Sequence, residues 1–394
     1  MTQIPAGFRL SGLHCGIKKN GALDLGLIVC DSGTICAGVY TTNLVVAAPV
    51  VLSRTRLQAS AEVGAVIVNS GNANACTGDQ GMSDAEDMTA AVGALLDVDP
   101  AAVQVCSTGV IGAPLPMAVI TEGLPQVVEA ATAEGLPAFA EAIMTTDTRP
   151  KHRTVSGEIA GRTITVAGTC KGAGMIHPNM ATMLAFLLTD APIAAADLQS
   201  IWARVCTRTF NAITVDGDTS TNDTALLLAS GAAGGEALTG ADLEAFEALV
   251  EPIARELALD IIRDSEGGTK TVAITVSGAA STAEARQAAQ TIALSPLVKT
   301  AIHGEDPNWG RIVAAAGRAG VQIAPDRVSV RIDDVVIYAE GVWQGPESEA
   351  RAHTIMKTPE YPIQIDLGVG EASSTVFTCD FSKGYIDINA SYRS

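Results

Sequence analysis

The run Lys171-Gly-Ala-Gly-Met-Ile-His-Pro-Asn-Met-Ala-Thr-Met-Leu184 carries a loop rich in glycine and proline directly into a hydroxyl residue, Thr182, at the head of an apolar stretch. A threonine hydroxyl is a poor nucleophile near neutral pH unless a base sits beside it. One recurring base is the threonine's own α-amine, freed when the bond before it is cut. That amine titrates near pH 8, against about 10.4 for a lysine side chain, so a useful fraction is unprotonated in a cell. The chemistry would begin with attack of the Thr182 hydroxyl on the Ala181 carbonyl, an N-to-O acyl shift, and hydrolysis of the resulting ester. The freed hydroxyl and amine could then take an acyl group from one molecule and pass it to another by a ping-pong route. On residue type alone, the simpler reading is that Thr182 caps or begins a buried strand over Met183 to Leu188.

Acyl transfer also needs donors aimed at the tetrahedral oxyanion. Thr108 and Gly109 follow the apolar run Val103 to Cys106, where a glycine lets a backbone N–H turn toward a ligand, although an ordinary strand-ending turn has the same pattern. Lys171 offers a cation to an amino-acid carboxylate, and Glu266, beside Gly267-Gly268, an anion to an ammonium. Cys170 is a weaker nucleophile candidate: Lys171 would favour its thiolate, but only His177 lies near it in sequence. The loop Asp216 to Asp223 begins like a calcium site, yet Thr221 and Leu227 stand where an EF-hand needs Gly and Glu. His303-Gly-Glu-Asp-Pro-Asn308 offers metal-type donors, but five scattered histidines without H-E-x-x-H give no zinc framework. Lys171-Gly-Ala-Gly places its lysine on the wrong side for a phosphate loop, and no G-x-S-x-G elbow is present. The expectation is catalysis without metal or cofactor.

The Lys171-to-Leu184 string resembles the signature of the ornithine acetyltransferase family, also called the glutamate N-acetyltransferases. The resemblance continues through Ser107-Thr108-Gly109-Val110-Ile111-Gly112, Met144-Thr145-Thr146-Asp147-Thr148, Phe210-Asn211 to Thr224, Arg263-Asp264-Ser265-Glu266-Gly267 and the tail Asn389 to Ser394, over nearly the full chain. It implies self-cleavage between Ala181 and Thr182, giving an α chain of residues 1–181 and a β chain of residues 182–394 that assemble as an α2β2 heterotetramer. The fold it implies is α/β (α+β): a layered α-β-β-α sandwich shared by both chains, with an additional smaller α+β lobe over about 280–394, the DmpA/ornithine acetyltransferase-like arrangement.

The activity implied is transfer of acetyl from N2-acetyl-L-ornithine to L-glutamate through acetyl-Thr182, in arginine biosynthesis. Acetyl-CoA as a second donor would add amino-acid N-acetyltransferase activity. Carried over residue by residue, Thr182 is the nucleophile and Thr108 and Gly109 stabilise the oxyanion. Thr145, Lys171, Thr182, Glu266, Asn389 and Ser394 contact substrate; the family tail often ends in Thr or Ser. The competing readings are an aminopeptidase or amidase of the same self-cleaving superfamily, with water as acceptor, and a non-catalytic protein whose chain stays intact.

Composition bounds these readings. A net charge of −18, from 43 acidic and 25 basic residues, argues against a nucleic-acid partner, which requires a concentrated basic surface. Mean hydropathy is +0.28, but the longest apolar runs fall far short of the roughly 18 to 20 residues that span a bilayer, so no membrane association is expected. Arg9, Lys18 and Lys19 are too scattered for an organelle address, and the cytoplasm is the expected compartment. Eight cysteines without a C-x-x-C pair read as buried thiols in a reducing environment.

The elements that must position these residues follow from periodicity. Strands are expected over Leu23 to Cys30, Thr34 to Tyr40 and Ala65 to Asn69, and a hairpin over Thr154 to Ala167 that leads up to Lys171. Helices are expected over Asp84 to Leu96 behind Ser83 as N-cap, and over Pro125 to Glu134 and Pro137 to Met144, each opening on its proline. Beyond Thr182 the pattern predicts strands from Met183 and over Thr224 to Ala229, and helices over Ala195 to Thr209 and Ala241 to Ile262. A last block combines a helix over Ala283 to Ile292 with strands at Val272 to Ser277, Arg311 to Ala315, Val328 to Ile332, Val335 to Tyr338, Ile363 to Leu367, Thr375 to Asp380 and Tyr385 to Ile388.

Overall fold

The computed structural model describes residues 4–177 and 183–390, so Ala181, Thr182 and Ser394 lie outside the described residues. The chain divides into two units, one drawn from Met1–Asn211 with Asp218–Ile261, the other from Ala212–Gly217 with Ile262–Ser394.

In the first unit the order is β1 (Phe8–Leu13), β2 (Leu25–Cys30), β3 (Ile35–Tyr40), α1 (Ala48–Ala59), β4 (Ala65–Asn72), α2 (Gly78–Leu96), β5 (Val103–Val110), α3 (Met117–Glu129) and α4 (Leu136–Ala142). It continues with β6 (Lys151–Ile159), β7 (Arg162–Lys171), β8 (Leu184–Thr189) and α5 (Ala195–Arg208). After β9 (Ile213–Thr214), which belongs to the second unit, come β10 (Thr224–Ala229) and α6 (Ala241–Arg263), whose last two residues also group with the second unit.

Two sheets form, ordered β1-β2-β4-β5 and β3-β10-β8-β7-β6. Alternation along the strands decides what each face meets. Leu25, Leu27, Ala65, Ile67, Val103 and Val105 pack on Met88 and Val92 of α2 and on Ile120, Leu124 and Val127 of α3. Their neighbours Ile28, Val66, Val68 and Cys106 face Ala167, Leu184, Phe186, Leu188, Leu226 and Leu228 of the other sheet. Each such leucine or valine removed from water contributes about 1.5–3 kcal/mol, which is why both faces of β2, β4 and β5 are apolar. On the outer face of the second sheet, Trp202 Nε1 of α5 donates to Ala225 O at 2.9 Å, and Leu257 of α6 packs against the Cβ position of Gly168. The first unit is therefore the layered α-β-β-α sandwich the resemblance implies.

The second unit is smaller and α+β. Its further elements are β11 (Thr271–Ala279), α7 (Thr282–Ala293), α8 (Pro296–His303), α9 (Trp309–Gly317), β12 (Ser329–Ile332), β13 (Val335–Ala339), β14 (Val342–Trp343), α10 (Pro346–Met356), β15 (Glu360–Asp366), β16 (Ala372–Cys379) and α11 (Lys383–Ala390). Its sheet runs β14-β13-β12-β15-β11-β16-β9, and Val272, Ile274, Val276, Ile363 and Ile365 share a core with Ala285, Ala288, Ala289 and Ile292 of α7.

Four expected elements differ. The second helix begins at Gly78 behind Thr77, with Ser83 inside it, because its first turn, Gly-Asp-Gln, carries no apolar signal. Pro125 lies inside α3 instead of opening a helix, and α3 starts behind Pro116. Arg311 to Ala315 is helical within α9: the Asn308 side chain accepts from Arg311 N at 3.1 Å as an N-cap, and Ile312, Ala315 and Ala316 are buried at helical spacing. Tyr385 to Ile388 is likewise helical, in α11, where Ser382 Oγ accepts from Tyr385 N and the Asn389 amide donates back to Tyr385 O at 3.0 Å. The hairpin β6–β7 forms as expected, turning on Ala160 and Gly161 with φ of 51° and 70°, the signature of a tight two-residue turn.

Candidate active site

The Lys171 end of β7 is paired with the first residue of β8, Leu184, so the connection containing the expected cut leaves and returns on adjacent strands. Lys171 is buried, and its Nζ donates to Thr108 Oγ1 at 3.1 Å. Thr108 and Gly109 stand at the end of β5, where the parallel pairing with β4 slips and Asn72 opposes both Thr108 and Val110. Gly109 has φ +136°, and a Cβ there would lie 2.3 Å from Gly71 C and 2.5 Å from Asn72 N, so only glycine permits this close backbone approach. Asn222 braces the same strand end, donating from Nδ2 to Ser107 O at 2.9 Å and Ala73 O at 2.6 Å.

Asp147, in the Met-Thr-Thr-Asp-Thr segment between α4 and β6, gathers the surroundings of Lys171. Its Oδ1 accepts from Lys151 Nζ and from Gly172 N, both at 2.7 Å, and its Oδ2 accepts from Thr145 N at 3.0 Å. Burial works to raise this carboxyl's pKa, but the Lys171 and Lys151 ammoniums and the Gly172 amide outweigh it and bring it down to about 2. Asp147 is thus an anion at all physiological pH.

Asp223 is the electrostatic opposite. It is fully buried and accepts from Met183 N at 3.0 Å, the amide directly after Thr182 in the chain, while its Oδ2 is buried with no hydrogen-bond partner among the described residues. Burial drives its pKa well above the ordinary carboxylate range, against the lowering influence of the Met183 amide and Lys171.

Within the second unit, two further residues assigned by resemblance meet. Asn389 Nδ2 of α11 donates to Glu266 Oε2 at 2.8 Å. Gly267, with φ +67°, makes the loop after Glu266 fit under α11: a Cβ on it would sit 2.3 Å from Tyr385 N.

The remaining candidates sort as follows. Thr145 is held to Asp147 through its backbone N–H. Cys170 is buried with its Sγ 3.3 Å from Leu257 O, and burial pushes its thiol pKa far up, which removes it as a nucleophile. Met175, in the loop after Lys171, has a φ of 57°, a left-handed conformation that costs a non-glycine residue about 1–3 kcal/mol. His303 Nδ1 lies 2.7 Å from Asp380 Oδ2, and Glu305 pairs with Lys270 at 2.8 Å. Among the described residues no group of three or more His, Cys, Asp or Glu could hold a metal ion, and no helix is long and apolar enough to cross a membrane. Sequence reasoning did not single out Asp147, Lys151, Asn222 or Asp223. The first lies in a quoted motif and the last two in a polar loop, but burial is what gives them their roles.

A sequence model of the ArgJ family matches residues 9–394. The arginine biosynthesis bifunctional protein ArgJ of Geobacter sulfurreducens is 49% identical over 390 residues, covering 98% of this chain and 99% of the relative. The protein of the same name from Chlorobaculum tepidum is 50% identical over 392 residues, covering 99% and 96%. Among solved structures, a chain of arginine biosynthesis bifunctional protein ArgJ from Bacillus halodurans is 39% identical with a TM-score of 0.52, covering 53% of this chain and 99% of its own. With the family pattern running through both units and relatives at about half identity along their whole lengths, this chain belongs to the ArgJ family.

Proposed function

We propose that this ArgJ-family enzyme of arginine biosynthesis moves an acetyl group from N2-acetyl-L-ornithine to L-glutamate through an ester on Thr182. The observation that supports the reading is the Lys171–Thr108 contact: a buried cation and a hydroxyl stand together at the end of β7 that pairs with Leu184, two residues after Thr182 in the sequence. The Thr182 hydroxyl attacks the acetyl carbonyl, its proton passing to the Thr182 α-amine. Thr108 and the Gly109 N–H stabilise the oxyanion, and the C–N bond to ornithine breaks as the amine returns the proton to the leaving nitrogen. The glutamate amine then attacks the ester and N-acetylglutamate leaves, restoring the hydroxyl. Lys171, Thr145, Glu266, Asn389 and Ser394 bind the two amino acids, and no metal or cofactor takes part.

The same reading includes self-cleavage at Ala181–Thr182 into chains of 1–181 and 182–394, two copies of each assembling in the cytoplasm, with the C-terminal α+β lobe in the second chain. Its support is the motif and one relation of lengths: the Bacillus halodurans chain is covered almost whole by about half of this one, as chains cut near the middle would be. The name "bifunctional" carried by the relatives supports acetyl-CoA as a second donor. Incubating the protein with acetylornithine, with and without glutamate, tests the central transfer. Acetylglutamate formed in step with ornithine supports it; acetate released without acetylglutamate would sink it in favour of an amidase.

A further inference from the structure

We propose that Asp147 is a positioning residue for amino-acid binding, acting through Thr145 and Lys171. The inference rests on the proposal above that these two residues contact substrate. One carboxylate ties together three chain segments: the Thr145 backbone in the loop after α4, the Gly172 amide immediately beyond Lys171, and the Lys151 ammonium at the start of β6. Asp147 and Lys151 are both buried, so this junction is dry and its geometry is fixed by charge-assisted bonds.

Only a carboxylate satisfies all three donors. Two N–H groups converge on Oδ1 and a third faces Oδ2. An asparagine would keep its oxygen toward the pair at Lys151 and Gly172 and turn its NH2 against the Thr145 N–H, donor against donor. Asp147→Asn therefore releases the Thr145 side of the site while leaving the Lys171 side in place. Asp147→Glu keeps the acceptors but lengthens the arm by one methylene, displacing Thr145 relative to Lys171.

The test is a double-mutant cycle in KM for acetylornithine on the matured enzyme. Asp147→Asn is expected to raise KM by about tenfold with kcat within about threefold, since misplacing a binding group by an ångström has effects of this order or larger. In a Thr145→Ala background the same change should add less than about twofold, because its effect runs through Thr145. A folded Asp147→Asn enzyme with unchanged KM, or an equal rise in both backgrounds, overturns the inference. If Asp147→Asn does not fold, Asp147→Glu is read in the same cycle, with the same raised KM expected and wild-type KM contradicting it. Lys171→Met separates the two levels. If it leaves KM unchanged, the substrate-site reading itself fails; if it raises KM while Asp147 variants do not, only the positioning role fails.

Discussion

Lys171 Nζ and Thr108 Oγ1, on strands β7 and β5 and 63 residues apart in sequence, are joined by a buried hydrogen bond of 3.1 Å. The proposed carboxylate anchor and the proposed oxyanion donor, which come from two separate motifs, are thereby one local unit. The ammonium also fixes the orientation of the hydroxyl: Thr108 Oγ1 accepts from Lys171, leaving its own hydrogen to point elsewhere.

Thr108→Ala is expected to lower kcat by about 10² to 10³, the usual cost of one oxyanion donor, with KM little changed. Lys171→Met is expected to act mainly on KM, raising it by about 10- to 100-fold as one charged hydrogen bond to a carboxylate is lost. Steady-state kinetics in both substrates separate the two; a kcat unaffected by Thr108→Ala would remove it from the oxyanion site.

Gly109→Ala should be poorly tolerated. The added Cβ would press on the Gly71–Asn72 backbone at a φ that L-residues avoid, and backbone cannot swing aside as a side chain can. The expected loss is at least about 2 kcal/mol of stability, read as a lowered Tm and reduced turnover; wild-type melting would contradict the close approach.

Asp147 and Asp223 should give stability opposite pH dependences. The folded pKa of Asp147 is depressed to about 2, so its contribution is complete above the unfolded value near 3.9 and is lost as pH falls toward 2. The folded pKa of Asp223 is raised, so its contribution is complete below pH 4 and is lost as pH rises through the folded value. Denaturant melts across pH 2.5 to 8 check this: Asp147→Asn should flatten the acid limb, and Asp223→Asn should reduce the decline on the neutral side. An unchanged acid limb in Asp147→Asn would contradict the assigned ionisation.

Gly267→Ala is expected to loosen α11 and with it the Glu266–Asn389 bond. The new methyl would meet the backbone of Gly384 and Tyr385 within 2.3 to 2.5 Å. KM should rise at least as much as in Asn389→Ala; unaltered kinetics and melting would show that the loop does not depend on this contact.

Much of this was legible in the chain because its signals are local. Short apolar runs between glycine-rich turns placed the strands of the sandwich, and the turn at Ala160-Gly161 placed the hairpin that presents Lys171. The helices α9 and α11 were misread because short runs with β-branched residues, such as Ile312-Val313 and Tyr385-Ile386, fit strand and helix equally; their capping residues, Asn308 and Ser382, decide. Pairing of Thr108 with Lys171 and of Glu266 with Asn389 was invisible, since each joins residues more than 60 positions apart. Asp147 and Asp223 look alike in sequence, and only their surroundings, two ammoniums for the first and complete burial for the second, shift their carboxyls in opposite directions.

The acetyl-Thr182 mechanism is tested most directly by mass spectrometry of enzyme mixed with acetylornithine in the absence of glutamate and quenched in acid. The mechanism predicts two pieces, 1–181 and 182–394, with one acetyl group on the second, located at Thr182 and discharged when glutamate is added. An uncut chain in an active preparation, or an acetyl group that is absent from Thr182 during turnover, would contradict it.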